Sequence, residues 1–224
     1  MNAPFNAKIR FAVAGTAQRS SIERWTAHPL FAWAGLRPVQ AQHTENEHRA
    51  LENHGRGRRS VVELGVAEGA SAVALRTVMD PGGILYLVDP YHLSRVPALN
   101  FLRRAAHRAV AAGDGARVVW LEKFSHEAAR DWRAPIDFLF IDGDHEEKAV
   151  ARDWEQWSPF LAPHGIAAFH DARIFPGGWT WAEYGPVKFV DRTFRRGAGS
   201  RWAIVDEVDS LVFVRRRDSP RRAE

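Results

Sequence analysis

The chain has 224 residues, a net charge of +4 from 31 Lys and Arg against 27 Asp and Glu, and 46% hydrophobic residues, enough for one α/β domain with a buried core and a modest extra segment. It contains no cysteine, which excludes disulfides, thiolate metal sites and cysteine nucleophiles together. No run of about eighteen apolar residues is present to span a membrane, and the N-terminus lacks the layout of a secretory signal, so the expected location is the cytoplasm.

Residues 1–44 carry Trp25, Phe31 and Trp33 among Pro29, Gly35 and Pro38, without a clean strand–helix alternation. They read as a helical or irregular lead segment packed on the domain, or lying over its site as a lid. The domain proper is expected over 45–215. A helix from Glu45 to His54 delivers the chain to a strand at Val61–Leu64. Helix Ser71–Val78, the turn Pro81-Gly82-Gly83 and strand Ile84–Val88 follow. The spacing of Leu99, Leu102, Ala106 and Val110 predicts a helix over Pro97–Ala112, then a strand at Arg117–Leu121 and a short helix at His126–Trp132. Phe138–Ile141 is wholly apolar, as in a strand buried on both faces of a parallel sheet. Helix Glu146–Trp157 presents Val150, Trp154 and Trp157 on one face, and Pro163-His164-Gly165 turns into strand Ile166–Phe169.

Beyond Asp171 the pattern changes. Pro176-Gly177-Gly178 opens an aromatic loop with Trp179, Trp181 and Tyr184, and Pro186–Phe194 reads as helix. Strands Trp202–Val205 and Leu211–Val214 are joined by too few residues for a crossover helix, so they must be antiparallel. The expected fold is α/β, a Rossmann-like doubly wound sheet of five parallel strands closed by an antiparallel hairpin. Residues 216–224 form a basic tail. The clusters Arg56-Gly57-Arg58-Arg59 and Arg215-Arg216-Arg217 with Arg221-Arg222 lack interleaved aromatics. They read as a solvated loop and a frayed terminus rather than a phosphate-binding surface, which argues against nucleic acid as a partner.

Glu63 to Ser71 is a strand end followed by a glycine-punctuated turn and a helix start. Gly65, Val66 and Gly69 there bring bare backbone against a nucleotide-like ligand. About twenty residues on, Asp89 and Pro90 close a second strand with an acid placed for ribose hydroxyls. A dinucleotide fingerprint needs three glycines in G-x-G-x-x-G register. Here Gly65 is followed by Ala67 and Ala70, with Gly69 out of register, which disfavours an NAD-dependent oxidoreductase.

Asp142, Asp144 and His145 follow the fourth strand, and His170 and Asp171 the fifth. Neighbouring strands lie about 4.8 Å apart, so both clusters share one crevice. Asp142, His170 and Asp171 are candidate ligands for Mg²⁺ or another divalent ion, the imidazole shifting preference towards Mn²⁺, Fe²⁺ or Zn²⁺. His145, three residues past Asp142, titrates near neutrality and suits a general base. The structural alternative makes Asp142-Gly143 a turn, Asp144 a helix cap and His170 a hydrogen-bonded side chain. His28, His43, His48, His54, His92, His107, His126 and His164 have no matching context and are expected at the surface. Trp179, Trp181 and Tyr184 either wall an acceptor or pack.

The stretches ELGVAEGAS (63–71), LVDPY (87–91) and FLFIDGDHEEKAVARDWEQWSPFLAPHGIAAFHD (138–171), with the closing hairpin, resemble a class I S-adenosylmethionine-dependent methyltransferase. The resemblance runs from Glu45 to Val214, and is to the small-molecule group whose fourth strand ends in I-D-G-D-H. It implies that Glu63, Gly65 and Gly69 line the cofactor's amino-acid end, with Ser71 at the helix start. It places Asp89 at the ribose and Phe124 and Ser125 by the adenine, although Lys123-Phe124 stands where that group usually has a glycine. In related metal-dependent sugar and catechol O-methyltransferases, an acid at the Asp142 position and an acidic pair at the His170-Asp171 position hold the metal. A histidine matching His145 is proposed there as base.

The expected activity is methyl transfer from S-adenosylmethionine to a hydroxyl of a small-molecule acceptor, with His145 and Asp142 catalytic. Asp142 positions donor or acceptor with or without a metal. A methyltransferase of a macromolecule is the first alternative. Pyrimidine-C5 enzymes need the cysteine this chain lacks, and adenine-N6 enzymes carry N/D-P-P-Y after the fourth strand, whereas Asp89-Pro90-Tyr91 follows the second. An NAD-dependent oxidoreductase and a non-catalytic binding protein on the same fold are the others. Related enzymes often assemble through their N-terminal segments, which leaves a homo-oligomer open.

Overall fold

The computed structural model describes residues 9–10, 27–92, 99–197 and 201–217. Its elements are β1 (Ile9–Arg10), α1 (Ala27–Ala34), β2 (Val39–Gln40), α2 (Glu45–Gly55), β3 (Ser60–Leu64), α3 (Ala70–Val78) and β4 (Ile84–Val88). Then come α4 (Phe101–Ala112), β5 (Arg117–Leu121), α5 (Ser125–Arg130), β6 (Ile136–Ile141), α6 (Glu147–Trp157) and β7 (Leu161–Phe169). The chain closes with α7 (Gly185–Val190), a π-helical turn at Asp191–Arg195, β8 (Trp202–Val208) and β9 (Leu211–Arg216).

Seven strands form one sheet in the order β5-β4-β3-β6-β7-β9-β8. Strands β3 to β7 are parallel, and β9 runs antiparallel to both β7 and β8. This is the expected sheet with its closing hairpin. The two-residue period of a strand sorts the apolar side chains onto opposite faces. Val61, Leu85, Leu87, Phe138 and Phe140 pack with Leu51 of α2, Leu75 of α3 and Leu102, Ala106 and Val110 of α4. Val62, Leu64, Val88, Leu139 and Ile141 pack on the other side with Ala128 of α5, Val150, Trp154 and Trp157 of α6 and Phe189 of α7.

The lead segment is part of this body. Ala32 of α1 is buried in one cluster with Ala105 and Ala109 of α4, and the short strands β1 and β2 pair in parallel. Among the described residues no helix is long and apolar enough to cross a membrane.

Several boundaries differ from the sequence reading for physical reasons. Pro163-His164-Gly165 is an irregularity inside β7, not a turn before it. Ile136 pairs with Leu161 while Phe138 pairs with Ile166, so the extra residues bulge out where proline cannot donate to the ladder. Helix α4 starts at Phe101 because the Asn100 side chain accepts from Arg103 N and caps it. Leu99 precedes that cap and is 61% exposed rather than on the buried face, and Pro97 lies outside the described residues. The helix expected to Phe194 is α-helical only to Val190.

The hairpin is longer than expected, with Val208 paired to Leu211 across the turn residues Asp209 and Ser210. Asp206 and Glu207 read as loop, yet β8 is an edge strand, where charged residues are tolerated. Arg215 and Arg216 are not a frayed terminus. They extend β9, Arg217 N donates to Arg201 O at 2.7 Å, and the Arg216 guanidinium lies over the Trp202 ring at 5.1 Å. Arg221 and Arg222 lie outside the described residues.

Phe138 is fully buried in the central strand. Phe138→Ala leaves a cavity in the sheet and is expected to lower unfolding free energy by about 3–5 kcal/mol, read as a reduced urea midpoint at unchanged slope.

Candidate functional site

In an open α/β sheet, ligands bind beyond the carboxyl ends of the strands where the strand order reverses. Here that point lies between β3 and β6, and a cavity of about 590 Å³ opens there, within the range of small-molecule sites. Gly65, Val66, Ser71, Asp89, Pro90, Phe124, Ser125, Asp142 and His145 all line it. Gln40, Gln42 and His43 of the lead segment join them.

The two loops at the reversal touch through backbone. Asp142 N donates to Leu64 O at 2.8 Å and Gly65 N to Val88 O at 2.9 Å. Gly65 has φ +86, and a Cβ there would stand 2.1 Å from the Asp142 carbonyl oxygen. Gly69 (φ +84) opens α3. Asp89 braces the turn between them. Its Oδ2 accepts from Val66 N at 3.0 Å and Ala67 N at 3.3 Å, and its Oδ1 from Tyr91 N at 2.8 Å. Burial raises its pKa, and these three donors oppose that. A carboxylate has about four acceptor positions, so Asp89 keeps room for one further donor.

Glu63 and Gly69 lie behind the cavity wall rather than on it. Glu63 is fully buried, with Oε1 accepting from the Ser71 hydroxyl and Oε2 left without a partner. Burial pushes its pKa well above the usual range, and the charges of Asp142 and Asp89 add to this against the Ser71 hydrogen bond. Phe124 is exposed beside the His92 and His126 rings. The Ser125 hydroxyl is already engaged, accepting from Trp157 Nε1 at 2.8 Å and bonded to Asp153.

A second set of polar groups flanks Asp142. His170 and Asp171 are buried behind the cavity wall. His170 Nδ1 lies 3.0 Å from Asp142 Oδ1 and 3.4 Å from Asp171 Oδ1, and its Nε2 faces Glu47 Oε2 at 3.5 Å. Burial disfavours a charged ring, but the charges of Asp142 and Asp171 and the bonds to Asp142 and Glu47 raise its pKa well above normal. Asp171 Oδ1 accepts from Trp179 Nε1 at 2.6 Å. Against its burial, the His170 charge and the His145 hydrogen bond hold Asp171 down to about 2.

His145 is 36% exposed, with Nε2 3.1 Å from Asp171 Oδ2 and 3.9 Å from Asp142 Oδ1. Its ring stacks on Tyr184 at 5.3 Å. Burial lowers its pKa, and the Asp171 hydrogen bond with the charges of Asp142 and Asp171 more than reverses this. With Nε2 donating to Asp171, Nδ1 is the nitrogen left to take a proton. Asp144 closes a turn by accepting from Glu146 N at 2.9 Å.

This donor set does not fit the divalent ion expected on Asp142, His170 and Asp171. A metal-ligating histidine must offer a lone pair. Nδ1 of His170 is engaged with Asp142 and its Nε2 faces Glu47 at 3.5 Å inside the protein, so neither ring nitrogen turns a lone pair to an open metal position. Among the described residues no three His, Asp or Glu side chains are grouped so as to hold a metal ion.

Several residues of the site were not singled out from sequence. Ser210, in the hairpin turn, donates its N and its hydroxyl to Glu47 Oε1 at 2.7 and 2.6 Å. The only advance signal for Glu47 was its capping box with Thr44. His28 and His43, expected at the surface, are 8% and 3% exposed. His28 Nδ1 pairs with Glu68 Oε1 at 2.8 Å, while Gln40 N donates to Glu68 Oε2 at 2.8 Å. The aromatic loop divides: Trp179 turns inward as a donor to Asp171, whereas Trp181 is 55% exposed and tilts on Tyr184 at 4.5 Å.

A family model described as a methyltransferase domain matches residues 62–172. Among solved structures, the O-methyltransferase TomG of Streptomyces achromogenes in complex with SAM is 15% identical, covers 89% of this chain and 100% of that one, and superposes with a TM-score of 0.59. An O-methyltransferase of Bacillus cereus in complex with SAH is 16% identical over 87% and 100%, with a TM-score of 0.53. An rRNA methylase of Streptococcus thermophilus is 12% identical over 77% and 95%, with a TM-score of 0.52. These likenesses fix the fold. An uncharacterised protein of Sinorhizobium fredii, y4gI, is 35% identical over 57 residues, 24% of this chain and only 6% of that protein's length.

Gly65→Ala must part the loops at the strand-order reversal, whereas at Gly143 an added Cβ meets nothing nearer than 3.8 Å. Calorimetry with S-adenosylhomocysteine is expected to show Gly65→Ala weakened by at least about tenfold, or 1.4 kcal/mol, and Gly143→Ala close to the parent chain.

Proposed function

We propose, from the premise that residues 62–172 are a methyltransferase domain, that this chain moves a methyl group from S-adenosylmethionine to a hydroxyl of a small-molecule acceptor. The observation that carries the reading is the His145–Asp171 pair at the rim of a cavity whose floor is the Gly65–Asp142 contact.

The residues present fit the cofactor. Asp89 retains an acceptor position for a ribose hydroxyl, and exposed Phe124 offers a face to a purine. Ser71, on the cavity wall and bonded to Glu63 behind it, offers a polar group to the cofactor's amino-acid end. When bound, the cofactor supplies an activated methyl on a sulfonium. The chain's own work is to align an acceptor oxygen with that methyl and to take its proton.

Asp171 accepts from His145 Nε2, fixing the ring and favouring its protonated form, so Nδ1 receives the proton as the new bond forms. Asp142, 3.9 Å from the same nitrogen, supports the charge that develops. Trp181 and Tyr184 give the acceptor an apolar platform beside the base. The lead segment, through Gln40, Gln42 and His43, covers the donor side. No step in this scheme uses a metal.

Binding of S-adenosylmethionine without NAD in calorimetry is expected; NAD binding alone would sink the reading. Release of S-adenosylhomocysteine across panels of phenols, sugars and RNA fragments is expected with a small hydroxylated compound only.

His145→Ala is expected to lower turnover by about 10²–10⁴-fold, while cofactor affinity stays within about tenfold. Retained turnover refutes the role of the base. His145 must be neutral to act, and its pKa lies above the ordinary 6.5. Turnover should therefore rise with pH through a limb above 6.5. Asp171→Asn removes the partner that raises this pKa and should move the limb to lower pH. A limb that does not move contradicts the assigned pairing.

A further inference from the structure

Three carboxylates from distant parts of the chain close around one imidazole. Glu47 comes from α2, Asp142 from the end of β6 and Asp171 from the end of β7, and His170 lies among them at 3.5, 3.0 and 3.4 Å. Glu47 is wholly buried, and His170 and Asp171 are 3% and 5% exposed, while Asp142 reaches from the cavity wall. Carboxylates crowded at a largely buried site repel one another unless a cation stands between them. The ring meets that need. Nδ1 points at Asp142 and Asp171, Nε2 points at Glu47, and Ser210 ties Glu47 in place from the hairpin turn.

We propose that the His170 side chain, set with Nδ1 against Asp142 and Asp171 and Nε2 against Glu47, takes the place of a divalent cation among these carboxylates, so that the chain neither binds nor requires a metal there. A divalent ion would draw the carboxylate oxygens inward and need open positions for water or substrate. The imidazole instead stands between the same oxygens, bonded to Asp142 through Nδ1, and fills the space itself. Glu47 acts as a positioning residue for the ring. The inference concerns metal binding alone and holds or fails independently of the methyl acceptor.

The test is a titration of the full-length chain, with S-adenosylhomocysteine present, by Mn²⁺, followed by loss of the free-ion electron paramagnetic resonance signal. The parent chain is expected to take up no stoichiometric Mn²⁺ into the millimolar range. His170→Asp removes the ring donors and offers a further carboxylate, and is expected to bind Mn²⁺ at least about tenfold more tightly. One Mn²⁺ bound per parent chain and lost on Asp142→Asn overturns the inference. So does a folded His170→Asp chain that binds no better than the parent. If that variant does not fold, the parent titration decides alone, together with elemental analysis of the purified chain: stoichiometric metal refutes, its absence supports.

Discussion

Strands β3 and β6 lie side by side, and beyond their ends only backbone separates the two loops that leave in opposite directions. Asp142 N is held by Leu64 O, and the Asp142 carbonyl stands so close to Gly65 that any side chain there would collide with it. This contact sets the floor of the cavity and therefore the height of everything around it. The Asp89 carboxylate can brace the turn after β3 only because Gly65 lets that turn fold back over β4. The Asp142 side chain can reach His170 only because its backbone is pinned to β3. The glycine-turn wall of the cavity and the carboxylate–imidazole cluster thus share one anchor.

The second organising element is polar and long-range. Glu47 begins a helix, Ser210 sits in a hairpin turn, and Asp171 follows a central strand, yet Ser210 bonds to both: its hydroxyl donates to the Glu47 carboxylate and accepts from the Asp171 backbone N–H. Thr44 Oγ1 adds a link to Asp209 Oδ2 at 2.6 Å. Removing one member of a buried charged network strands its partners, at about 3–5 kcal/mol. The start of α2 is accordingly tied to the hairpin turn through Thr44 and Glu47. The Glu68 pairing to His28 and Gln40 does the same for the segment before it. The lead segment, read from sequence as packed on the domain or lying over the site, is over its described part tied to Glu68 of the glycine turn by His28 and Gln40.

The parallel strands were legible because burial on both faces demands continuous apolar runs, such as Phe138 to Ile141, and the glycine turn because positive φ demands glycine at 65 and 69. Elements whose residues serve two conflicting demands were not. Asp206 and Glu207 look like loop but sit in an edge strand. Pro163 looks like a turn but is a bulge in β7. Arg215 and Arg216 look like tail but complete the ladder of β9. The carboxylates and histidines after β6 and β7 were visible as a cluster, and their strand ends do bring them together. Whether such a cluster holds a metal or satisfies itself depends on which way each nitrogen points. That orientation was set by Glu47, 123 positions before His170, and no local pattern encodes it.

Backbone strain follows the same map. Among the described residues other than glycine, φ is positive at Ala67, Tyr91, Asp171 and Asp209, a conformation costing of order 1–3 kcal/mol at each site. Ala67 and Tyr91 both donate their N–H to Asp89. The Asp171 N–H goes to Ser210, and its carboxylate is gripped by Trp179 and His145. Each strained residue beside the site is therefore over-determined by hydrogen bonds to a carboxylate or its neighbours, while Asp209 supports the network through Thr44. Strain held this way is not released by a passing ligand, because the restraining bonds are internal to the protein. The turns on both sides of the cavity therefore carry their strain on bonds made entirely within the protein.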